Sequence, residues 1–115
     1  IINNLRKELK GYQFNLYKEK ILQDQLFRTC LQKHGFIPEY RLDAKNIIDF
    51  YHPKLKIGIE VKIKGSPYNI YSQCKRYSAF DDIKSILLIC SVAMSLPDLI
   101  NNKKSYVINL SSSWL

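Results

Sequence analysis

The feature that most constrains the fold is an alternating segment near the middle of the chain, residues 56–64. Apolar side chains alternate there with glycine or charged residues: Ile57, Ile59, Val61 and Ile63 against Gly58, Glu60, Lys62 and Lys64. Successive side chains of a β-strand point to opposite faces, so this period of two predicts a strand with one apolar and one polar face. The length of 115 residues predicts a single domain, 1–115, with its core at about 19–110.

The remaining elements are predicted from the spacing of apolar residues and from turn signals. Helical spacing covers 3–34, with an interruption at Gly11 and a stop at His34-Gly35. Further helices are expected at 68–80 and at 96–101, the latter entered through Ser95 and Pro97. Strands are expected at 39–42, 46–52, 84–91 and 105–110. The order α-β-β-β-α-β-α-β predicts an α/β fold with a mixed central sheet of four to five strands flanked by helices.

The charge balance indicates the kind of partner. Eighteen Lys and Arg against ten Asp and Glu leave a net charge of +8, which favours polyanions, nucleic acid before an anionic membrane surface. We therefore expect DNA as the partner, with RNA left open. The longest apolar run, 86–90, is far shorter than the roughly 18 residues that a membrane span needs, so no membrane association is predicted.

The three cysteines, Cys30, Cys74 and Cys90, are widely spaced and contain no Cys-x-x-Cys pair. A structural zinc site is therefore not predicted. Their odd number suits a reducing compartment, and we expect a cytoplasmic protein.

Two carboxylates and an amine lie on the two strands that flank a turn near Pro53. If these strands pair as a hairpin, Asp49 falls opposite or diagonal to Glu60, roughly 5–8 Å away and within reach of one cation. Glu60 and Lys62 share a face because they are two residues apart. Magnesium prefers carboxylate oxygens, which makes a metal site plausible. The alternative is a solvated sheet face on which Asp49 forms a salt bridge with Lys62.

The spacing Asp49-x10-Glu60-x-Lys62 resembles the core motif of the PD-(D/E)XK nuclease superfamily, although Ile48 replaces the usual proline. This resemblance implies a restriction-endonuclease-like core and a Mg²⁺ cofactor, for which Mn²⁺ is expected to substitute. It implies that Asp49, Glu60 and the Val61 backbone carbonyl bind the metal. Lys62 is then expected to act on the attacking water or on the scissile phosphate.

Two further elements agree with the resemblance. Gln73-x-x-x-Tyr77 resembles a motif of RecB-type nucleases, and the i, i+4 spacing places both side chains on one helix face. The resemblance implies that they reach the active site or the DNA backbone, although Tyr77 also fits a core position. Many members carry a metal-binding Glu on the first helix, for which Glu19 is the first candidate and Asp24 the alternative.

Several residues outside the motif are candidates for nucleic-acid contacts: Lys64, Lys75, Arg76 and Tyr71. The hypothesis is a Mg²⁺-dependent deoxyribonuclease. Open variants are a Holliday-junction-resolvase-like homodimer, a RecB-like nuclease domain and an enzyme of a mobile element. The alternatives are a catalytically silent nucleic-acid-binding protein on the same fold and a basic interaction module. A carboxylate pair facing phosphate argues against a silent binder, since the pair repels phosphate unless a metal neutralises it.

Overall fold

The computed structural model describes residues 1–111, which form a mixed β-sheet between helices. The helices are α1 (Ile2–Leu9), α2 (Glu19–Leu26), which continues into a π-helical segment (Phe27–Leu31), and α3 (Pro67–Ser78). The strands are β1 (Ile37–Arg41), β2 (Ile47–His52), β3 (Ile57–Lys62), β4 (Ser85–Cys90), β5 (Leu99–Ile100) and β6 (Lys103–Asn109). Residues 112–115, the end of the predicted domain, lie outside the described residues.

The sheet has the strand order β1-β2-β3-β4-β6-β5. Strands β1, β2 and β3 form an antiparallel meander, whereas β3, β4 and β6 run parallel. The predicted α/β fold with a mixed sheet is thus confirmed, although the sheet has six strands rather than four to five. The parallel strands place the ends of β3, β4 and β6 at one edge of the sheet, where ligands bind in many open α/β sheets.

The predicted helix at 96–101 is wrong, because residues 99–100 form the short strand β5. Leu99 pairs with Lys104 and Ile100 with Lys103 in an antiparallel hairpin. Asn101 and Asn102 connect the strands with φ angles of 52° and 66°. Two consecutive left-handed residues form the tight turn that suits a two-residue hairpin, and asparagine tolerates this conformation better than most residues.

The predicted helical stretch 3–34 is interrupted near Gly11, as expected. The interruption is longer than a single glycine requires. Residues 10–18 connect α1 to α2, and the second helix ends in the π-helical segment. Across residues 1–111, the helices are all too short or too polar to pass through a bilayer.

Two apolar layers cover the two faces of the sheet. One layer joins α1, α2 and the π-helical segment to β3, through residues that include Leu22, Leu26, Ile59 and Val61. The other joins α3 to β4, through residues that include Ile70, Cys74, Tyr77, Ile86 and Leu88. Strand β4 is buried over Ile86–Cys90, as its continuous apolar sequence predicts for a central strand. Helices α2 and α3 therefore lie on opposite faces of the sheet.

Candidate active site

The hairpin of β2 and β3 brings Asp49 beside Glu60. The paired positions are His52 with Ile57, Tyr51 with Gly58 and Phe50 with Ile59. Asp49 and Glu60 are the next residues of their strands, and the charge of Asp49 acts on Glu60. Beyond Phe50, the acceptor on β2 is a side chain instead of a backbone carbonyl. Val61 N–H donates a 2.8 Å hydrogen bond to Oδ2 of Asp49. This bond ties the carboxylate of Asp49 to the strand that carries Glu60 and Lys62.

Glu60 is buried, which corrects the expectation that β3 presents a solvated polar face. Its side chain is only 3 % exposed. Helix α3 covers this face of the sheet with an apolar layer. Both faces of β3 are therefore covered, and the alternating apolar and polar residues of β3 lie in two different buried environments. Among residues 1–111, Oε1 of Glu60 has no well-formed hydrogen bond, an unusual state for a buried carboxyl oxygen, although Asp49 lies close enough to act on the carboxyl group.

The electrostatic environment of the two carboxyl groups is unfavourable for negative charge. Burial, reinforced by the neighbouring charge of Asp49, raises the pKa of Glu60 from 4.5 to about 9. Burial also raises the pKa of Asp49, although the hydrogen bond from Val61 opposes this shift. Two like-charged groups that share a buried site cannot both ionise without a compensating cation.

Lys62 supplies part of that positive charge. Its Nζ lies 3.7 Å from Oε2 of Glu60, and its side chain is 23 % exposed. The amine therefore stands between the buried carboxylate and the solvent. The ion pair joins Lys62 to Glu60, so the alternative of a solvated face with an Asp49–Lys62 salt bridge does not describe this arrangement.

The first turn of α2 approaches the same site. Burial raises the pKa of Glu19, with opposite contributions from the charges of Lys62 and Asp49, which places its carboxyl group near both. Asp24, the alternative, lies elsewhere: it is 59 % exposed and forms a 2.9 Å ion pair with Arg28. The structure therefore brings Glu19, and not Asp24, to the carboxylate pair.

Gln73 and Tyr77 lie on α3 beside the carboxylates. Gln73 Nε2 donates a 3.0 Å hydrogen bond to the Tyr77 hydroxyl, which in turn donates to the Ile47 carbonyl at 3.2 Å. Tyr77 is buried, and burial followed by the charge of Glu60 raises its pKa. The pair therefore fixes α3 against β2 two residues before Asp49, with Gln73 as the more exposed member.

The remaining predicted contact residues form an uneven rim. Lys64 and Lys75 are exposed, whereas Tyr71 is half-buried and packs against the α3 side of the core. Arg76 is exposed but engaged, since its Nε donates to Asn46 at 2.9 Å and its guanidinium lies 5.3 Å from the Tyr77 ring centre. Sequence reasoning missed Lys20, whose charge acts on both Asp49 and Glu19.

The donor set fits a hard divalent cation. Asp49 and Glu60 offer carboxylate oxygens, the ligands that Mg²⁺ and Mn²⁺ prefer, whereas within residues 1–111 Glu19 does not form with them a group of three whose ligand atoms all lie within 4.8 Å of one another. The orphaned Oε1 of Glu60 is a buried acceptor that a cation would satisfy. The N–H of Val61 is bonded to Asp49, and the predicted metal contact of the Val61 carbonyl stays a prediction.

A second group of metal-ligand types lies away from this site and was missed, because its members are distant in sequence. Ligand atoms of Glu8, Cys30 and His34 lie within 4.8 Å of one another. Two side chains already contact the carboxylate of Glu8: His34 Nε2 lies 2.7 Å and Lys33 Nζ 3.0 Å from its oxygens. Hydrogen bonds from these two residues lower the pKa of Glu8 to about 2, while burial raises the pKa of Cys30 to about 12. This arrangement is a charge network that joins α1 to the end of the π-helical segment.

Comparison with known proteins found no family model that matches the chain, and no significant match among curated proteins or solved structures. The functional argument therefore depends on the geometry of the site and on the sequence motif.

Proposed function

We propose that the chain is a Mg²⁺-dependent nuclease that hydrolyses phosphodiester bonds in DNA, built on a restriction-endonuclease-like core. The observation that carries this proposal is the carboxylate pair of half-buried Asp49 and buried Glu60, with Lys62 3.7 Å from Glu60. A bound cation would let both carboxyl groups ionise, and the net charge of +8 favours a polyanionic substrate.

Each residue has a distinct role in the proposed reaction. Asp49 and Glu60 would hold the metal, and Glu19, on which the charge of Asp49 acts, would add a nearby carboxylate from α2. A bound divalent cation lowers the pKa of its water and offsets charge on the phosphate. Lys62, at the boundary between the buried carboxylate and solvent, orients the attacking water or stabilises the negative charge on the scissile phosphate. Gln73 and Tyr77 hold α3 against β2 and so fix the position of Asp49.

The test is cleavage of labelled duplex, single-stranded, flapped and four-way-junction DNA, each with Mg²⁺, with Mn²⁺ and with EDTA. Lys62→Ala is the inactivating variant, and Lys84→Ala is its matched control. Lys84 is exposed and precedes β4, whereas Lys62 pairs with Cys90 at the other end of that strand. We expect metal-dependent cutting that Lys62→Ala abolishes and Lys84→Ala retains.

Binding across the panel without cutting in either metal would contradict the proposal. It would support the alternative of a nucleic-acid-binding protein on the same fold, which the net charge of +8 also favours. A parallel panel of RNA substrates tests the choice of DNA, and the solution mass of the active species tests the predicted homodimer.

A further inference from the structure

Two tyrosines stand out among the large hydrophobic side chains of residues 1–111. Tyr17 is 92 % exposed and Tyr68 is 76 % exposed, whereas the next most exposed, Leu99, is at 52 %. The aromatic ring pairs found in this part of the chain include neither tyrosine. Both rings therefore present their faces to solvent.

Local hydrogen bonds fix the backbone that carries Tyr17. Asn15 Oδ1 accepts hydrogen bonds from the N–H of Tyr17 at 2.8 Å and of Lys18 at 3.0 Å. The N–H of Asn15 donates to Gln25 Oε1 at 2.8 Å, which ties the turn to α2. Tyr17 thus projects from a defined turn two residues before Glu19, the α2 residue that approaches the carboxylate pair.

A helix cap fixes the backbone that carries Tyr68. Ser66 is the N-cap of α3, its Oγ accepts a 3.1 Å hydrogen bond from Asn69 N–H, and Pro67 occupies the first turn. A side-chain cap followed by proline is a well-defined helix start. Tyr68 follows Lys62 by six residues and lies in the first turn of the helix that comes directly after β3.

The two tyrosines lie at the starts of two helices, Tyr17 just before α2 and Tyr68 in the first turn of α3, and these helices pack on opposite faces of the sheet. Helix α2 packs on the face of Ile59 and Val61, and α3 packs on the other. Both helices begin at the end of β3 that carries Lys62. The charges of Asp49 and Lys62 act on Glu19, the first residue of α2, and the charge of Glu60 acts on Tyr77 of α3. Exposed lysines accompany each ring: Lys18 and Lys20 beside Tyr17, and Lys64 beside Tyr68.

We infer that Tyr17 and Tyr68 are two base-stacking platforms on either side of the site, so that the substrate is single-stranded DNA or a single-stranded portion of DNA. Aromatic faces beside a basic rim bind single strands by stacking on unpaired bases, while lysines contact the phosphates. A base within an intact duplex is stacked on its neighbours and offers no free face to either ring. This inference rests on the proposed function, because it assigns the substrate of the same site.

The experiment measures binding in EDTA, so it does not require turnover. A labelled single-stranded oligonucleotide and the duplex of the same sequence are titrated with wild type, Tyr17→Ala, Tyr68→Ala and the matched Tyr17→Phe and Tyr68→Phe variants. We expect each Ala variant to bind the single strand roughly 5- to 150-fold more weakly, because that is the range reported for one lost stack. The Phe variants keep the ring face, and we expect them to stay within about twofold of wild type. Circular dichroism confirms that each variant is folded.

Three outcomes would overturn the inference: wild-type affinity of both Ala variants for the single strand, equal losses in the Phe and Ala variants, or equal losses on the duplex. A labelled RNA single strand is a further arm, and equal or tighter binding of RNA would overturn the choice of DNA. Tyrosine-dependent binding together with no metal-dependent cutting would refute the proposed nuclease activity but not the role of the two tyrosines in stacking. A failure of the proposed function is therefore distinguishable from a failure of this inference.

Discussion

Replacing Glu60 by Gln tests the electrostatics of the site without any substrate. The carboxyl group is 3 % exposed, one of its oxygens is unpartnered, and its pKa is raised from 4.5 to about 9. A raised pKa means that the folded protein binds a proton that the unfolded chain releases. The contribution of Glu60 to stability is therefore fully present below about pH 4.5 and is lost progressively as the pH rises toward about 9.

The magnitude follows from the same shift. A pH of about 7 is roughly 2.5 units above the ordinary pKa of 4.5. Because each unit corresponds to about 1.4 kcal/mol, Glu60 destabilises the metal-free fold by up to about 3 kcal/mol at this pH. Glutamine has the same shape without the charge, and its amide can donate to Asp49. We expect Glu60→Gln to be more stable than wild type at about pH 7 by part of this amount, and the difference to fall to less than about 1 kcal/mol at about pH 5.

The assay is urea unfolding at several pH values, with EDTA and with saturating Mg²⁺. A bound cation stabilises the folded state of wild type, and we expect Glu60→Gln to gain much less from Mg²⁺. Glu39→Gln, an exposed glutamate of β1, is the matched control and should show neither effect. Equal destabilisation of Glu60→Gln at pH 5 and pH 7 without metal would show that the folded protein already compensates this carboxylate, and it would refute the reasoning.

Three smaller predictions test the packing around the site. Asp49→Ala should lower stability by about 1–3 kcal/mol because Val61 N–H loses its acceptor, whereas Asp49→Asn should lose metal binding but retain most of the stability. Gly58→Ala should destabilise by about 1–3 kcal/mol, since a Cβ there would lie 2.8 Å from Ile83 Cδ1, and Ile83→Val in the same chain should recover part of the loss. Ser66→Ala should lower stability by about 1 kcal/mol through loss of the α3 cap. Urea unfolding measures all three, and calorimetric Mg²⁺ titration separates the two Asp49 variants.

The hairpin that carries the motif was predictable because two local signals agree. The period of two defines β3, and the tight turn near Pro53 limits the register to positions that bring Asp49 beside Glu60. The strand β5 was not recognised because Ser95 and Pro97 are also good signals for a helix start. Asn101-Asn102, which the structure uses as a left-handed turn, was the competing signal for a hairpin.

The burial of Glu60 was missed because alternation on a strand defines two faces without saying what covers them. A signal was available at Gly58, on the same face of β3. A glycine inside a strand often marks close packing, and a Cβ at this position would lie 2.5 Å from Ile48 Cδ1. The apolar stripe of α3, Ile70, Cys74 and Tyr77, needed a sheet face to cover, and the face of Glu60 was that surface.

The distribution of charge gives the strongest physical argument for a cation in this site. A domain of this size has a net stability of about 5–15 kcal/mol, so the ionisation of buried Glu60, at up to about 3 kcal/mol, is a sizeable part of it. Amide residues of the same shape would avoid this loss of stability, and a bound divalent cation would offset it. The exposed lysines around the site have the opposite sign to its interior. A phosphate backbone is attracted to that rim and repelled by the carboxylates, so it can approach Glu60 closely only when a cation lies between them.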